Sequence, residues 1–175
     1  MLSAKQILDE GLLKLDETKG KAAQVGYDLS LKAVNKVGNR IGYNMFKEGQ
    51  IGKVLKDKTV LTTYTPVSTI MLDGNEGYLL HDGVYDITFW EGCKLPENRV
   101  AFIKQRSSLY RNGAIINSPV FDPGFETEFM GTLLYVHEPL FIEKDARVAQ
   151  IYFHECSDAE KYNGQWQNDK QRSSL

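Results

Sequence analysis

The sequence predicts a mainly β protein, a barrel or sandwich of short strands entered by one short N-terminal helix. Segments rich in Val, Ile, Thr, Tyr and Phe are broken by Gly, Asp, Asn or Pro about every 8 to 12 residues, the rhythm of strands joined by tight turns. Helical spacing stands at the start of the chain, where Ile7, Leu8, Leu12 and Leu15 recur as far as Gly20. A length of 175 residues, 42% of them hydrophobic, suits one domain with its own core over 1–175.

Ser3 followed by Gln6 reads as a capping box that starts the helix, and Gly11 weakens it and offers an early end. Strands are predicted at Val60 to Thr65, Ser68 to Leu72, Gly77 to His81, Tyr85 to Phe89, Val100 to Ile103, Phe129 to Val136 and Val148 to Phe153. Asn35 to Lys58 carries several Gly and Lys without a clean period and reads as a long loop or insertion. A hairpin is predicted on the "IINSPV" stretch. From Ser157 onward only Ala159, Tyr162, Trp166 and Leu175 are apolar. A tail of that composition, 157–175, is either disordered or ordered by something it covers.

Several function classes are excluded early. A formal net charge of −2 without a long Lys/Arg run leaves no footprint for a nucleic-acid polymer, whose binding rests on phosphate neutralisation. The start lacks the blocks of a signal peptide, and no apolar run approaches the roughly 20 residues that span a bilayer, so no membrane partner is expected and a cytoplasmic location is. Cys93 and Cys156 stand apart without C-x-x-C spacing, which suits free thiols in a reducing compartment. His81, His137 and His154 lack the H-x-E and paired cysteines of a zinc deaminase. G-x-S-x-G, a Walker loop and G-x-G-x-x-G are absent as well.

What remains is a polar cluster that a β core does not require. Arg106, Ser107 and Ser108 set a guanidinium fork and two hydroxyls at a strand end, suited to a phosphate cradle or simply to a solvated corner. Asp122, followed by Pro123 and Gly124, reads as a turn whose carboxylate accepts local backbone bonds, or as a holder of a water or a sugar hydroxyl. Phe125 offers an apolar face beside it.

In order along the chain, "MLSAKQILDEGLLKL", "VGYDLSL" (Val25 to Leu31), "QRSSL" (Gln105 to Leu109), "VFDPGF" (Val120 to Phe125), "DARVAQIYF" (Asp145 to Phe153) and "AEKYNGQWQ" (Ala159 to Gln167) resemble the motifs of the superfamily that contains trimeric dUTPases and non-zinc dCTP deaminases. The resemblance implies a distorted β-barrel or jelly roll, the dUTPase-like β-clip, assembled as a homotrimer with active sites between subunits. It implies a C-terminal tail that closes over bound nucleotide. Residue by residue, Arg106, Ser107 and Ser108 would bind the triphosphate, with Arg111 matching an arginine of the deaminase site. Gln150 would help place the phosphates or their Mg²⁺, the one cofactor implied, held mainly through the triphosphate rather than by protein ligands. Lys161 and Gln165 match tail positions that reach triphosphate and base, and Asp28 matches a first-motif aspartate that is at least partly structural. A second "QRSSL" ends the chain at Gln171 to Leu175, with no strand to orient it, and reads as a coincidence of composition.

Within that superfamily the two chemistries need different residues. Deamination at the pyrimidine C4 without zinc needs a carboxylate beside the base. Counted without a gap from Asp122, the position of the deaminase glutamate is Thr132, which cannot transfer that proton. Hydrolysis between the α and β phosphates needs an aspartate to activate water, matched by Asp122, and an aromatic ring against deoxyribose, matched by Phe125. The segment between "RSSL" and Asp122 is shorter than in either branch, so the hairpin that reads the base is rebuilt around Asn117, Ser118 and Pro119. The glycine-rich fifth dUTPase motif is replaced by the deaminase-type tail. The implied activity is that of a dUTP diphosphatase acting on dUTP. The alternatives are a dCTP deaminase that uses Glu126 or Glu128 and an inactive nucleotide-binding relative.

Overall fold

The computed structural model describes residues 1–16, 19–38, 63–157, 160–164 and 167. At the start of the chain the Ser3 hydroxyl accepts the Gln6 amide at 3.3 Å, and the Gln6 side chain accepts the Ser3 amide at 2.9 Å. This capping box satisfies donors that the first turn of a helix leaves without partners. The helix, α1 (Ala4–Asp9), stops well before Gly20. Gly11 adopts φ +62, a left-handed conformation that closes a helix at little cost in glycine. Beyond it Leu12 is buried and the chain is extended, so the leucine spacing there serves a strand and not a second helical turn.

The strands are β1 (Leu13–Lys14), β2 (Lys21–Ala22), β3 (Tyr27–Gly38), β4 (Thr63–Pro66), β5 (Ile70–Leu72), β6 (Asn75–Leu80) and β7 (Gly83–Phe89). They continue as β8 (Gly92–Lys94) and β9 (Arg99–Gln105), a one-turn helix α2 (Ser107–Arg111), then β10 (Ala114–Asn117), β11 (Glu126–Thr127), β12 (Gly131–Val136), β13 (Leu140–Glu143) and β14 (Arg147–Glu155). The main sheet runs β10-β12-β7-β3-β14-β9, with β2 and β4 also pairing β3. Its terminal strands β9 and β10 lie against each other, so the sheet almost closes into a barrel. Two small sheets, β1-β8-β11 and β13-β6-β5, complete the mainly β fold that the turn rhythm predicts.

β3 serves both halves of the barrel. Tyr27 to Ser30 pair with β14, and from Leu31 to Lys36 the strand pairs with β7. The register shifts between Leu31 and Ala33, and β14 shifts in turn between Arg147 and Ala149. Such bulges bend a strand and let it pass from one layer to the next. Tyr27 to Leu31 are buried on both faces, and Leu29, Leu31 and Val34 join Phe89, Met130, Ile151 and Phe153 in the core.

Two expectations are corrected here. Asn35 to Gly38 are strand, paired with β4, because buried Asn35 removes the hydrophobic alternation by which a strand is read. The remainder of that stretch, 39–58, and residues 60–62 lie outside the described residues. The "IINSPV" stretch does not fold back on itself at Ser118 and Pro119. Ala114 to Asn117 pair with Leu133 to Val136, and the chain between carries the Asp122 turn and β11, which is drawn away to β8. β3 before Asn35 and the short strands β1, β2, β8, β11 and β13 also lie outside the predicted segments.

Both cysteines are free, and burial pushes the Cys93 thiol up to about 12, which keeps it protonated and inert. Glu91 is also fully buried, its Oε2 accepting the Ser30 amide at 2.9 Å. Burial pushes its carboxyl up to about 7, although the Ser30 bond favours the anion. The fold therefore prefers the neutral acid. That stabilisation is complete below the ordinary value of 4.5 and is lost as the pH rises through about 7. Glu91→Gln, neutral throughout, should gain about 3 kcal/mol over the parent near pH 8 and almost nothing near pH 4.5. Urea denaturation at the two pH values measures this, and an equal gain at both would remove Glu91 as the titrating group.

Candidate functional site

β9 ends where its last residue has used its ladder partner on β14, and the Arg106 amide then donates to the Val148 carbonyl at 2.9 Å. Arg106 stays extended, with φ −69 and ψ 154, and starts α2, so its side chain leaves the sheet edge as the backbone turns. Arg106 Nε lies 3.2 Å from Asp28 Oδ2, and its guanidinium donates to the Arg147 carbonyl at 3.0 Å. Arg147 reaches the same Asp28 oxygen at 3.6 Å. Asp28 is only 7% exposed, and two guanidinium groups offset the cost of burying its charge on β3.

Beside this cluster opens a cleft of about 770 Å³ lined in part by Asp28, Lys104, Arg106, Ser107, Gln150 and Tyr152. Gln150 is fixed there, its Nε2 donating to the Val25 carbonyl at 2.9 Å and its Oε1 accepting the Tyr152 hydroxyl. The strand alternation of β14 puts Gln150 and Tyr152 on one face, a signal that could have named Tyr152. Lys104 was likewise legible as an exposed position of β9. Ser108 and Arg111 are exposed on α2 and do not line the cleft.

A second cluster forms around Asp122. Phe121 exchanges backbone hydrogen bonds with Ala101, at 3.0 and 2.9 Å, and the chain then turns, with the Phe125 amide donating to the Asp122 carbonyl at 3.1 Å. Asp122 itself is exposed. Gly124 has φ +79, and a Cβ there would stand 2.4 Å from Cγ of Lys161, whose stem crosses the turn. The Phe125 ring packs against Phe121 at 5.5 Å and against Tyr162 at 5.4 Å, the latter edge-on at 81°. The Tyr162 amide donates to the Pro123 carbonyl at 2.7 Å, and the Gln167 carboxamide bonds Gly124 and Glu126. What this part of the tail covers is thus the Asp122 turn. Gln165 and the second "QRSSL" lie outside the described residues.

At the third point of interest, buried Thr132 donates its hydroxyl to the Asn117 carbonyl at 2.9 Å, tying β12 to the end of β10 while the Asn117 side chain is exposed. Glu126 pairs with Lys14 at 2.9 Å, and Glu128 bonds the same ammonium. The Lys14 hydrogen bond holds the Glu126 carboxyl below the usual carboxylate range. Lys14, on β1, gave no sequence signal for this role, because its partners are brought to it by β8.

One chain therefore brings Arg106, Ser107 and Gln150 together with Asp28, and separately gathers Asp122, Phe125 and Lys161. One group follows the last residue of β9, Gln105, and the other is bridged to Ala101 in the same strand. Four residue steps separate Ala101 from Gln105, about 13 Å at the usual rise.

Comparison with known proteins adds the following. A family model described as dCTP deaminase-like matches residues 1–156. A deoxyuridine 5'-triphosphate nucleotidohydrolase of Methanocaldococcus jannaschii is 44% identical over 86 residues, covering 48% of this chain and 53% of that protein. A dCTP deaminase, dUMP-forming, of Methanosphaera stadtmanae is 29% identical over 154 residues, 85% of this chain and 74% of that protein. The chain spans about half the length of the curated nucleotidohydrolases it matches, 53% and 54% for the first two. Among solved structures, the 2'-deoxycytidine 5'-triphosphate deaminase of Agrobacterium tumefaciens superposes with a TM-score of 0.56 at 17% identity, over 87% of this chain and 46% of that one, a likeness of fold. With the family model spanning residues 1–156 of 175, the chain belongs to the dCTP deaminase-like family.

Proposed function

We propose that the protein is a dUTP diphosphatase that hydrolyses dUTP to dUMP and pyrophosphate. The observation that carries this reading is the contrast between Thr132 and Asp122. Thr132, at the position where deamination would need a carboxylate, is buried and spends its hydroxyl on a backbone carbonyl. Asp122 presents an exposed carboxylate from a turn fixed by its own backbone bonds. The names of the nucleotidohydrolase relatives support the same reading.

In this mechanism Asp122 takes a proton from water as the water oxygen attacks the α-phosphorus. The bond from that phosphorus to the α–β bridging oxygen breaks, and pyrophosphate leaves. Arg106 and Ser107 hold the triphosphate from the cleft, and the resemblance alone assigns Ser108, Arg111 and Lys161 to it. Phe125 stacks on the deoxyribose and leaves no room for a 2'-hydroxyl. Asn117 is assigned to the base, and the resemblance of the tail motif assigns Gln165 to it as well. The Mg²⁺ of the proposal is carried by triphosphate oxygens, with Gln150 beside them. When bound, the ion would offset charge on the phosphates.

The proposal includes a homotrimer with sites between subunits, as the resemblance implies, in which the Arg106 group of one chain meets the Asp122 group of another. A cytoplasmic setting belongs to it too. No helix among the described residues is long and apolar enough to cross a membrane.

The M. stadtmanae relative's name gives the deaminase reading its support. Against it, Glu126 and Glu128 are both held by Lys14. Incubation with dUTP or dCTP and Mg²⁺, following pyrophosphate and ammonia together, separates the readings. Pyrophosphate from dUTP alone is expected; ammonia from dCTP would overturn the assignment, and tight binding with neither product would indicate an inactive relative. Asp122→Asn should lower hydrolysis by about a thousandfold or more while nucleotide affinity stays within a few fold. Undiminished turnover in that variant would remove Asp122 from the mechanism. A monomeric mass in solution for active protein would exclude the shared site.

A further inference from the structure

The turn that presents Asp122 has two edges, and they are held by different parts of the chain. On the inner edge the Gly124 amide donates to the Pro96 carbonyl at 3.3 Å, and the Leu95 amide donates to the Phe125 carbonyl at 2.9 Å. On the outer edge the partners all come from the tail. Tyr162 donates its amide to the Pro123 carbonyl at 2.7 Å. Gln167 Nε2 donates to the Gly124 carbonyl at 2.9 Å, and Gln167 Oε1 accepts the Glu126 amide at 3.1 Å.

The Gln167 bonds form a fork. A carbonyl can only accept and a backbone amide can only donate, so a side chain that satisfies both must carry an acceptor and a donor side by side. A carboxamide does this as a neighbouring strand would. Two bonds from one rigid group also fix a direction, which one bond does not. The fork closes on Gly124, two residues after Asp122, and on Glu126, so the backbone that aims the Asp122 carboxylate has little freedom while it is in place.

We propose that Gln167 is a positioning residue for Asp122. Its carboxamide locks the Asp122 turn to the tail, so that tail docking and the aim of the water-activating carboxylate are one event. This rests on the reading of Asp122 as the group that activates water. It adds a residue outside the tail positions Lys161 and Gln165 and gives the tail a task at the turn backbone, separate from any contact with nucleotide.

The test uses the full chain with Gln167→Leu, which keeps bulk and loses both bonds, and Gln167→Glu, which keeps an acceptor for Glu126 and loses the donor. Two quantities are read: amide hydrogen exchange at Glu126, and kcat and KM for dUTP with Mg²⁺. For Gln167→Leu, exchange at Glu126 should rise about tenfold, and kcat should fall about tenfold or more with KM moving less than about threefold. Gln167→Glu should lie between it and the parent on both measures. Unchanged exchange in Gln167→Leu overturns the lock. Faster exchange with unchanged kcat, in an assay where Asp122→Asn is inactive, overturns the positioning role. A rise in KM alone assigns the residue to nucleotide binding and also overturns it. If the parent lacks turnover, the hydrolase reading fails, and the exchange arm alone then decides whether Gln167 holds the turn.

Discussion

The architecture depends on β3 being shared by two halves of one barrel. A strand buried on both faces ordinarily carries apolar side chains throughout, yet this one carries Asp28, Ser30 and Asn35 among its buried residues. The carboxylate is the costly one, since moving an unpaired charge out of water costs several kcal/mol. Arg106 and Arg147 meet it from the end of β9 and the start of β14. The shift of register in β14 sets Arg147 opposite Ser30 on β3, and Arg106 follows the last pair of β9 with β14, Gln105 with Ala149. The polar cleft beside Gln150 and Ser107 is thus a by-product of how the central strand is stabilised.

β9 also sets the spacing of the two clusters, with the arginine cluster beyond its last residue and the Asp122 turn bridged to Ala101. The Asp122 turn is held from two sides. Its backbone groups are satisfied by the preceding Leu95–Pro96 segment and by the tail, and its aromatic residue stands between Phe121 and Tyr162. Polar residues that could not form a core unaided are ordered here by docking on another segment's backbone.

Much of this was legible in the sequence where a residue's environment is set locally. The Ser3/Gln6 cap, the alternating strands β7, β9, β12 and β14, and the turn at Asp122 follow from near neighbours alone. The limits fall where distant partners decide. Leu12 and Leu15 fit a helix until Gly11 turns the chain away. Asn35 reads as loop because its burial comes from the neighbouring strands. Lys14 has no visible reason to meet Glu126 until β8 lies between β1 and β11. Tyr152 was readable from period-two spacing with Gln150, whereas Gln167, in a polar tail, could not be told from its neighbours without knowing which carbonyl and amide it would face.

The hydroxyl of Thr132 constrains what else its position can hold. It is both a buried group and the tie between β10 and β12, so the position is occupied by a structural duty as well as lacking a carboxylate. A glutamate there would forfeit the tie, since a carboxylate cannot donate to the Asn117 carbonyl. A carboxylate at that position would therefore need a second change, one that gives the Asn117 strand end another donor.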